Sequence, residues 1–494
     1  MGFIKKLGSD TAIYGLSSII GRFLNYLLVP LYTAKISAAS GGYGVITNIY
    51  SYTALLLVIL TYGMETTLFR FLNKEGENPE KVYPTILTSV GTTALVFVAL
   101  VLGCLGWIAP AMGYAEHPEY IGVMAIVVGL DAFQAIPFSY LRAKKRPIKF
   151  ATLKLLFIFL NIGLNLLYFV ALPALYPGHE STVGLIYDPS IGYGYAFFLN
   201  LVCTGVVTFG FWKEIFGIKW QFDWTLLKRM LGYSWPLLVL GIAGILNQTV
   251  DKILFPYIYT ASDAHVQLGI YGAAVKIAMI MALITQAFRY AYEPLIFDKS
   301  TKEDNNKMQA LGMKFFVIFT LAAFLAVMAG IDILKHIISP DYWDGLVVVP
   351  IVMIAEIMMG IYFNLSFWYK LTDRTIWGAA ISAVGCIMLL LVNFLFVPQY
   401  GYMACAWGGV AGYGTAMVVS YLLGQHYMPI KYDIKDIALY VALTAVLYVA
   451  GSAFTVESEV IMTIYRSLLL LLFLAVVLKR EGLYAKLKAR LHRR

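Results

Sequence analysis

Charge is what this chain has least of: only 13% of its 494 residues are Asp, Glu, Lys or Arg. A soluble chain of this length carries roughly a quarter charged residues and divides into two or three domains with separate cores. The shortage therefore excludes the ordinary soluble and disordered classes. Cysteine is also scarce. Cys104, Cys203, Cys386 and Cys405 all lie in apolar runs and form no CxxC or Cys/His ligand spacing with the six histidines, so neither a disulfide framework nor a structural zinc site is expected. A GxxxxGK[ST] phosphate loop is missing, and the one glycine-dense stretch, Gly192-Tyr193-Gly194, lacks the surroundings of a dinucleotide site. The chain brings no nucleotide engine. No residue set resembles a hydrolytic triad or a metal site either, which argues against an enzyme and against any cofactor beyond a coupling proton or sodium ion.

What the chain does have is apolar length. Its 60% hydrophobic share suffices for roughly fourteen spans of about 20 residues, with little left for an extramembrane domain. The expected fold is an all-α integral membrane protein with spans near 10–35, 43–72, 82–109, 120–142, 148–172, 190–212, 230–257, 267–297, 308–333, 343–369, 374–398, 401–425, 434–452 and 459–478. Lys5 and Lys6 ahead of the first apolar stretch imitate a secretory signal, but Arg22 inside that stretch marks a retained helix. An even span number puts both termini on one side, and basic loops stay in the cytoplasm. About 28 basic residues then fall on the cytoplasmic side, against only Lys35 and Lys335 opposite. The net charge of +9 follows from this retention signal and from anionic headgroups; nucleic-acid binding would need a soluble basic face.

An offset of 228 residues lays the chain on itself. Tyr43-Gly44 falls on Tyr271-Gly272, Tyr62 on Tyr290, Glu65 on Glu293, Arg142 on Lys370, Arg146 on Arg374 and Asn165 on Asn393. Spans 1–6 and 7–12 thus read as two copies of a six-helix unit with the same orientation, related by an axis along the membrane normal. This divides the chain into an N-lobe (1–212), a cytoplasmic linker (213–229), a C-lobe (230–426), two further spans (427–478) and a basic tail (479–494). Two such lobes can open a cleft to either side by rocking, which is alternating access.

Ionisable residues within spans cost a few kcal/mol and face protein or a wet cavity. The cations Arg22, Lys252, Lys276 and Arg289 concentrate in spans 1, 7 and 8; the acids Glu65, Asp131, Asp251, Glu293 and Glu356 lie in spans 2, 4, 7, 8 and 10. Gln286, Arg289 and Glu293 follow i, i+3, i+7 spacing and form one stripe, and Arg22 shares a face with Asn25. Arg289 and Glu293 read either as a self-neutralising pair or as a substrate-holding cation beside a carboxylate able to titrate. Asp251 has a weaker claim beside Lys252, because adjacent residues diverge by about 100° on a helix. Lys252 and Lys276 could also snorkel outward, and Arg466 fits either headgroups or a groove beside span 14. Tyr362, Phe363, Phe367, Trp368 and Tyr369 fit helix packing or stacking on sugar rings. The candidate substrate set is Arg22, Asn25, Lys252, Lys276, Gln286 and Arg289; the candidate coupling set is Glu65, Asp131, Glu293 and Glu356.

Asp10-Thr11-Ala12-Ile13-Tyr14-Gly15 after a basic start, Arg22-Phe23-Leu24, Pro30-Leu31-Tyr32 before Tyr43-Gly44, and Arg142-Ala143-Lys144-Lys145-Arg146 after span 4 together resemble the polysaccharide-biosynthesis exporters. These are the O-unit flippases of the multidrug/oligosaccharidyl-lipid/polysaccharide superfamily. The resemblance implies a bacterial inner-membrane protein that carries an undecaprenyl-pyrophosphate-linked oligosaccharide from the inner to the outer leaflet for lipopolysaccharide or O-antigen assembly, alongside membrane lipids and polysaccharide assembly proteins. It also implies that Arg22, Lys252, Lys276 and Arg289 engage the pyrophosphate, for which a planar guanidinium suits better than an ammonium. Fourteen spans are also similar to the lipid II flippases, the first alternative. A cation-coupled multidrug exporter is the second, and a membrane glycosyltransferase or polymerase the third.

Overall fold

The computed structural model describes residues 26–482 apart from 75, 298–301, 373, 375, 455 and 457. Arg22, Asn25 and the basic tail beyond 482 lie outside the described residues, as does the side chain of Glu293. Every regular element among the described residues is helical. Among the described residues, twelve helices are long and apolar enough to cross a membrane: α1 Gly42–Leu72, α2 Pro79–Gly103, α3 Pro118–Ala143, α4 Pro147–Leu175, α5 Pro189–Gly210, α6 Trp224–Ile258, α7 Ala264–Arg289, α8 Asn306–Ala329, α9 Pro340–Leu371, α10 Ile376–Tyr400, α12 Ile434–Ala453 and α13 Glu459–Arg480. Between the last three lies α11, Tyr402–Tyr427, of equal length but rich in glycine and tyrosine. These thirteen match the expected spans 2–14. The first expected span lies mostly outside the described residues, with Leu28–Lys35 as its helical end.

Local chemistry departs from the smooth spans in two places. α1 breaks at Tyr62-Gly63, both in the left-handed region with φ 32° and 73°. Gly63 meets that geometry without cost, whereas Tyr62 carries strain and is tied down by a 2.7 Å bond between its hydroxyl and Ser89 Oγ. α6 runs for 35 residues and starts at Trp224, inside the segment expected to be linker. At 1.5 Å per residue it is longer than the roughly 30 Å hydrocarbon layer.

By packing, the chain forms two compact units, Met1–Gly269 and Ile270–Arg494. In the first, α6 lies along α1, with α2, α3 and α5 adjoining. The core joins Met64, Leu68, Tyr83, Ile86, Ile136 and Met230. Gly44 packs on the backbone of His265 and Gly269, where any side chain would collide with the His265 carbonyl. Packing thus keeps α6 in the first unit, while the repeat places it at the head of the second copy; contact and sequence symmetry divide the chain differently.

In the second unit α11 packs on α10 and α9. A β-carbon on Gly412 would stand 2.9 Å from the Gly385 carbonyl oxygen, so the α10–α11 crossing depends on small residues. The last two helices dock on α8 and are pinned inside it and beyond its C-terminal end. Lys314 Nζ, more than two turns into α8, reaches Asp433, Asp436 and Glu481 at 2.9, 2.7 and 2.8 Å. Beyond the C-terminal end, Arg466 holds Asp332 at 2.7 Å and Lys335 holds Glu459 at 2.7 Å.

Candidate functional site

In the first unit the polar residues converge on α3 and α5. Asn200, Thr204 and Thr208 recur every fourth residue and so line one face of α5. That face meets Asp131 and Gln134 of α3. The Thr204 hydroxyl lies 3.4 Å from Asp131 Oδ1 and 3.3 Å from Asn200 Oδ1, and donates to one at a time. Gln134 donates to the Thr204 carbonyl at 2.9 Å and to Thr208 Oγ1 at 2.8 Å. Asn200 Nδ2 donates at 2.7 Å to the Tyr50 hydroxyl on α1. Lys154 on α4 places its ammonium 4.0 Å from the Phe138 ring centroid. The result is a hydrogen-bonded patch across three helices, α1, α3 and α5, around one carboxylate. Of its members only Asp131 stands out in the sequence. The four-residue spacing of Asn200, Thr204 and Thr208 was the available signal, and neutral side chains are easily passed over beside charges.

Glu65, just past the α1 break, is half-exposed and accepts from Ser139 Oγ at 3.1 Å and from Arg142 at 3.3 Å. Arg142, expected as part of a basic loop, therefore also pairs with a carboxylate. On α6, Lys252 Nζ reaches both carboxylate oxygens of Asp251 at 3.0 Å and donates to the Gln248 carbonyl at 2.9 Å. The two diverge at their α-carbons, but the four-carbon stem of Lys252 closes the gap. Asn48 of α1 donates to the Lys252 carbonyl at 2.7 Å and accepts from the Tyr114 hydroxyl at 2.7 Å.

In the second unit, α7 and α9 approach closely where Gly360 faces Thr285; a β-carbon there would lie 3.0 Å from Thr285 Oγ1. One turn further along each helix, the Arg289 guanidinium lies over the Phe363 ring, 5.3 Å from its centroid. Gln286, Lys276 and Glu356 are half-buried on the same two helices. The sugar-stacking expectation narrows here: Tyr362, Phe367, Trp368 and Tyr369 are buried in helix packing, with Trp368 stacked on Tyr427 at 5.4 Å. Of the five aromatics Phe363 alone is half-buried. Arg466 is placed as well. It bonds Asp332 and donates to the Gly451 carbonyl at 3.1 Å, so it joins α13 to α12 and to the loop after α8.

This arrangement of long helices with buried cations has relatives. Residues 7–298 match the model of the polysaccharide biosynthesis protein family, and the chain belongs to that family. Among solved structures, it resembles the lipid II flippase MurJ in an inward closed conformation, with TM-score 0.70, 14% identity, and 94% of this chain and 99% of that chain covered. It also resembles a multidrug resistance transporter of the MATE family of the MOP superfamily in an inward-facing conformation, with TM-score 0.61, 14% identity, and 84% and 97% covered. A third likeness is to a MOP superfamily transporter from Pyrococcus furiosus described by a binding pocket of reverse polarity, with TM-score 0.51, 16% identity, and 84% and 95% covered. No curated protein matches the sequence. The fold is that of the MOP superfamily, and the chain is a multi-pass integral membrane protein.

Proposed function

We propose that the chain is a flippase for polyprenyl-pyrophosphate-linked saccharides that works by alternating access in a bacterial inner membrane, with both termini cytoplasmic. The observation that carries this reading is Arg289, a half-buried guanidinium held over Phe363 within a span. A fork of donors above an aromatic ring suits a pyrophosphate joined to a sugar. Arg22, Lys252 and Lys276 complete the cationic set by residue type. The carriers include both O-units and lipid II. The lipid II flippase likeness spans 94% of the chain against 84% for the multidrug transporters, which supports the lipid II type over both the O-unit reading and drug export.

Coupling is assigned to the α3–α5 patch around Asp131, where surrounding oxygens can hold a proton or sodium ion. Glu65 is bound to Arg142 and Ser139 and is given a gating role instead. The test uses purified protein in liposomes with a fluorescent pyrophosphate-linked saccharide lipid. Arg289→Ala should lower translocation by about a hundredfold, as expected when a charge-assisted bidentate contact is lost, with insertion and melting unchanged. Normal translocation by that variant would falsify the substrate role.

A further inference from the structure

The first unit carries a groove that saccharide transport does not use. It encloses about 710 Å³ beside the break in α1, with Tyr62, Thr92, Val96, Trp224, Leu231 and Trp235 among its walls. Those walls are open and apolar: Trp235 is 63% exposed and Val96 51%. Most of the hydroxyls along them are already engaged. Tyr62 meets Ser89 at 2.7 Å, and Thr88 donates to the Pro84 carbonyl at 2.8 Å. A polar ligand finds few partners there, while hydrocarbon fits.

The groove also has a charged end. Lys81, Thr88, Thr92 and Val96 share a face of α2 by three- and four-residue spacing, and Trp224, Lys228, Leu231, Trp235 and Leu238 share a face of α6. Both walls therefore end in a lysine at the same end, beside Phe222, Asp223 and Trp224. Lys81 Nζ lies 3.4 Å from Asp223 Oδ2, and Lys228 Nζ stands 5.9 Å from the Trp224 ring centroid. Lys81 pairs with that carboxylate, and Lys228 adds a further cation at this end. From Lys228 to Leu238 the wall rises about 15 Å at 1.5 Å per residue, the hydrocarbon depth of one leaflet. An undecaprenyl chain is several times too long for it.

We propose that this groove is a lipid site: one acyl chain of an anionic phospholipid lies between α2 and α6 against the strained Tyr62 break, with its phosphate on Lys81 and Lys228. The site stands apart from the transport reading, since it requires only a membrane. It is tested with the full-length protein in nanodiscs of zwitterionic phospholipid doped with phosphatidylglycerol carrying a photoactivatable acyl chain, followed by peptide mapping. Label should concentrate on the peptides of α2 and α6. Ser89→Trp, which fills the groove, should reduce that label to background. Should the tryptophan disturb folding, Lys81→Gln and Lys228→Gln provide the second arm: each should lower phosphatidylglycerol labelling about fivefold and leave a phosphatidylcholine probe unaffected. Equal labelling by the two probes, undiminished label in the lysine variants, or displacement of the probe by equimolar undecaprenyl phosphate would each overturn the assignment.

Discussion

Asn165 in the first unit and Asn393 in the second hold matching places in the internal repeat, yet their surroundings differ. Asn165 accepts from the Tyr32 hydroxyl at 2.8 Å and donates to the carbonyl and side-chain oxygens of Asn161, both at 2.8 Å. Asn393 is as deeply buried, but among the described residues its amide has no hydrogen-bond partner. It lies instead against Gly408, where a β-carbon would stand 2.6 Å from its Oδ1. The same contrast holds more widely. The first unit joins half-buried Asp131 to buried Gln134, Asn200 and Thr204 in hydrogen-bonded contact across helices. The second unit closes its α10–α11 interior with glycine and places its strong pairs at Lys314 within α8 and just beyond the C-terminal end of that helix. A hydrogen-bonded patch can exchange a proton or hold an ion, whereas glycine packing gives a stiff scaffold on which Arg289 is mounted. On the proposed function, that division sets Asp131 in the first unit and Arg289 in the second.

The sharpest way to break this comparison is at the clamps. Among the described residues, Lys314 is the one cation that meets Asp433, Asp436 and Glu481 together, with Arg480 reaching Asp436 at 2.5 Å. Lys314→Met should cost about 2 kcal/mol, below the figure for a fully dry pair because the acids reach the surface. It should also open the 428–433 connection to protease. Unchanged melting and cleavage would mean that the last two helices are held by apolar packing alone.

A smaller effect tests the asparagines themselves. Asn165→Leu strands the Tyr32 hydroxyl and should cost about 1–2 kcal/mol, whereas Asn393→Leu replaces an unpartnered amide with a side chain of similar size and should be near neutral. Thermal melting of both variants in the same detergent gives the answer. Equal losses would erase the distinction between the units.

Much of this was legible in the sequence. Apolar runs gave thirteen of the helices their places, because a span must satisfy its backbone internally and leaves few alternatives to helix. The charged and asparagine coincidences picked out positions such as Asn165 and Asn393. What escaped was set by side-chain reach and by distant partners. The Tyr62 break has no local marker, since a tyrosine at positive φ is not written in any pattern. The partner of Arg466 sits in a loop 134 residues away. Lys252 reaches Asp251 through the length of its stem, which a helical wheel does not represent, and the Asn200–Thr204–Thr208 face is silent to any search for charge.

The smallest predicted effect compares two helix caps. Asp223 caps α6 by accepting from the Leu226 amide at 3.0 Å, and that bond, with Lys81 nearby, holds its carboxyl below the usual range. A pKa lowered on folding contributes stability above the unfolded value of about 3.9, and that contribution is lost as pH falls toward the folded value. Asp223→Asn keeps a capping side chain and should barely move melting at neutral pH, while flattening the loss of stability on acidification below about pH 4. Asp433, which caps α12 by accepting from the Asp436 amide, also bonds the buried Lys314, so Asp433→Asn should cost visibly more at neutral pH. An equal response of the two caps would show that the Lys314 charge within α8 is solvated like an ordinary surface pair, and the second unit would lose the clamp that sets it apart from the first.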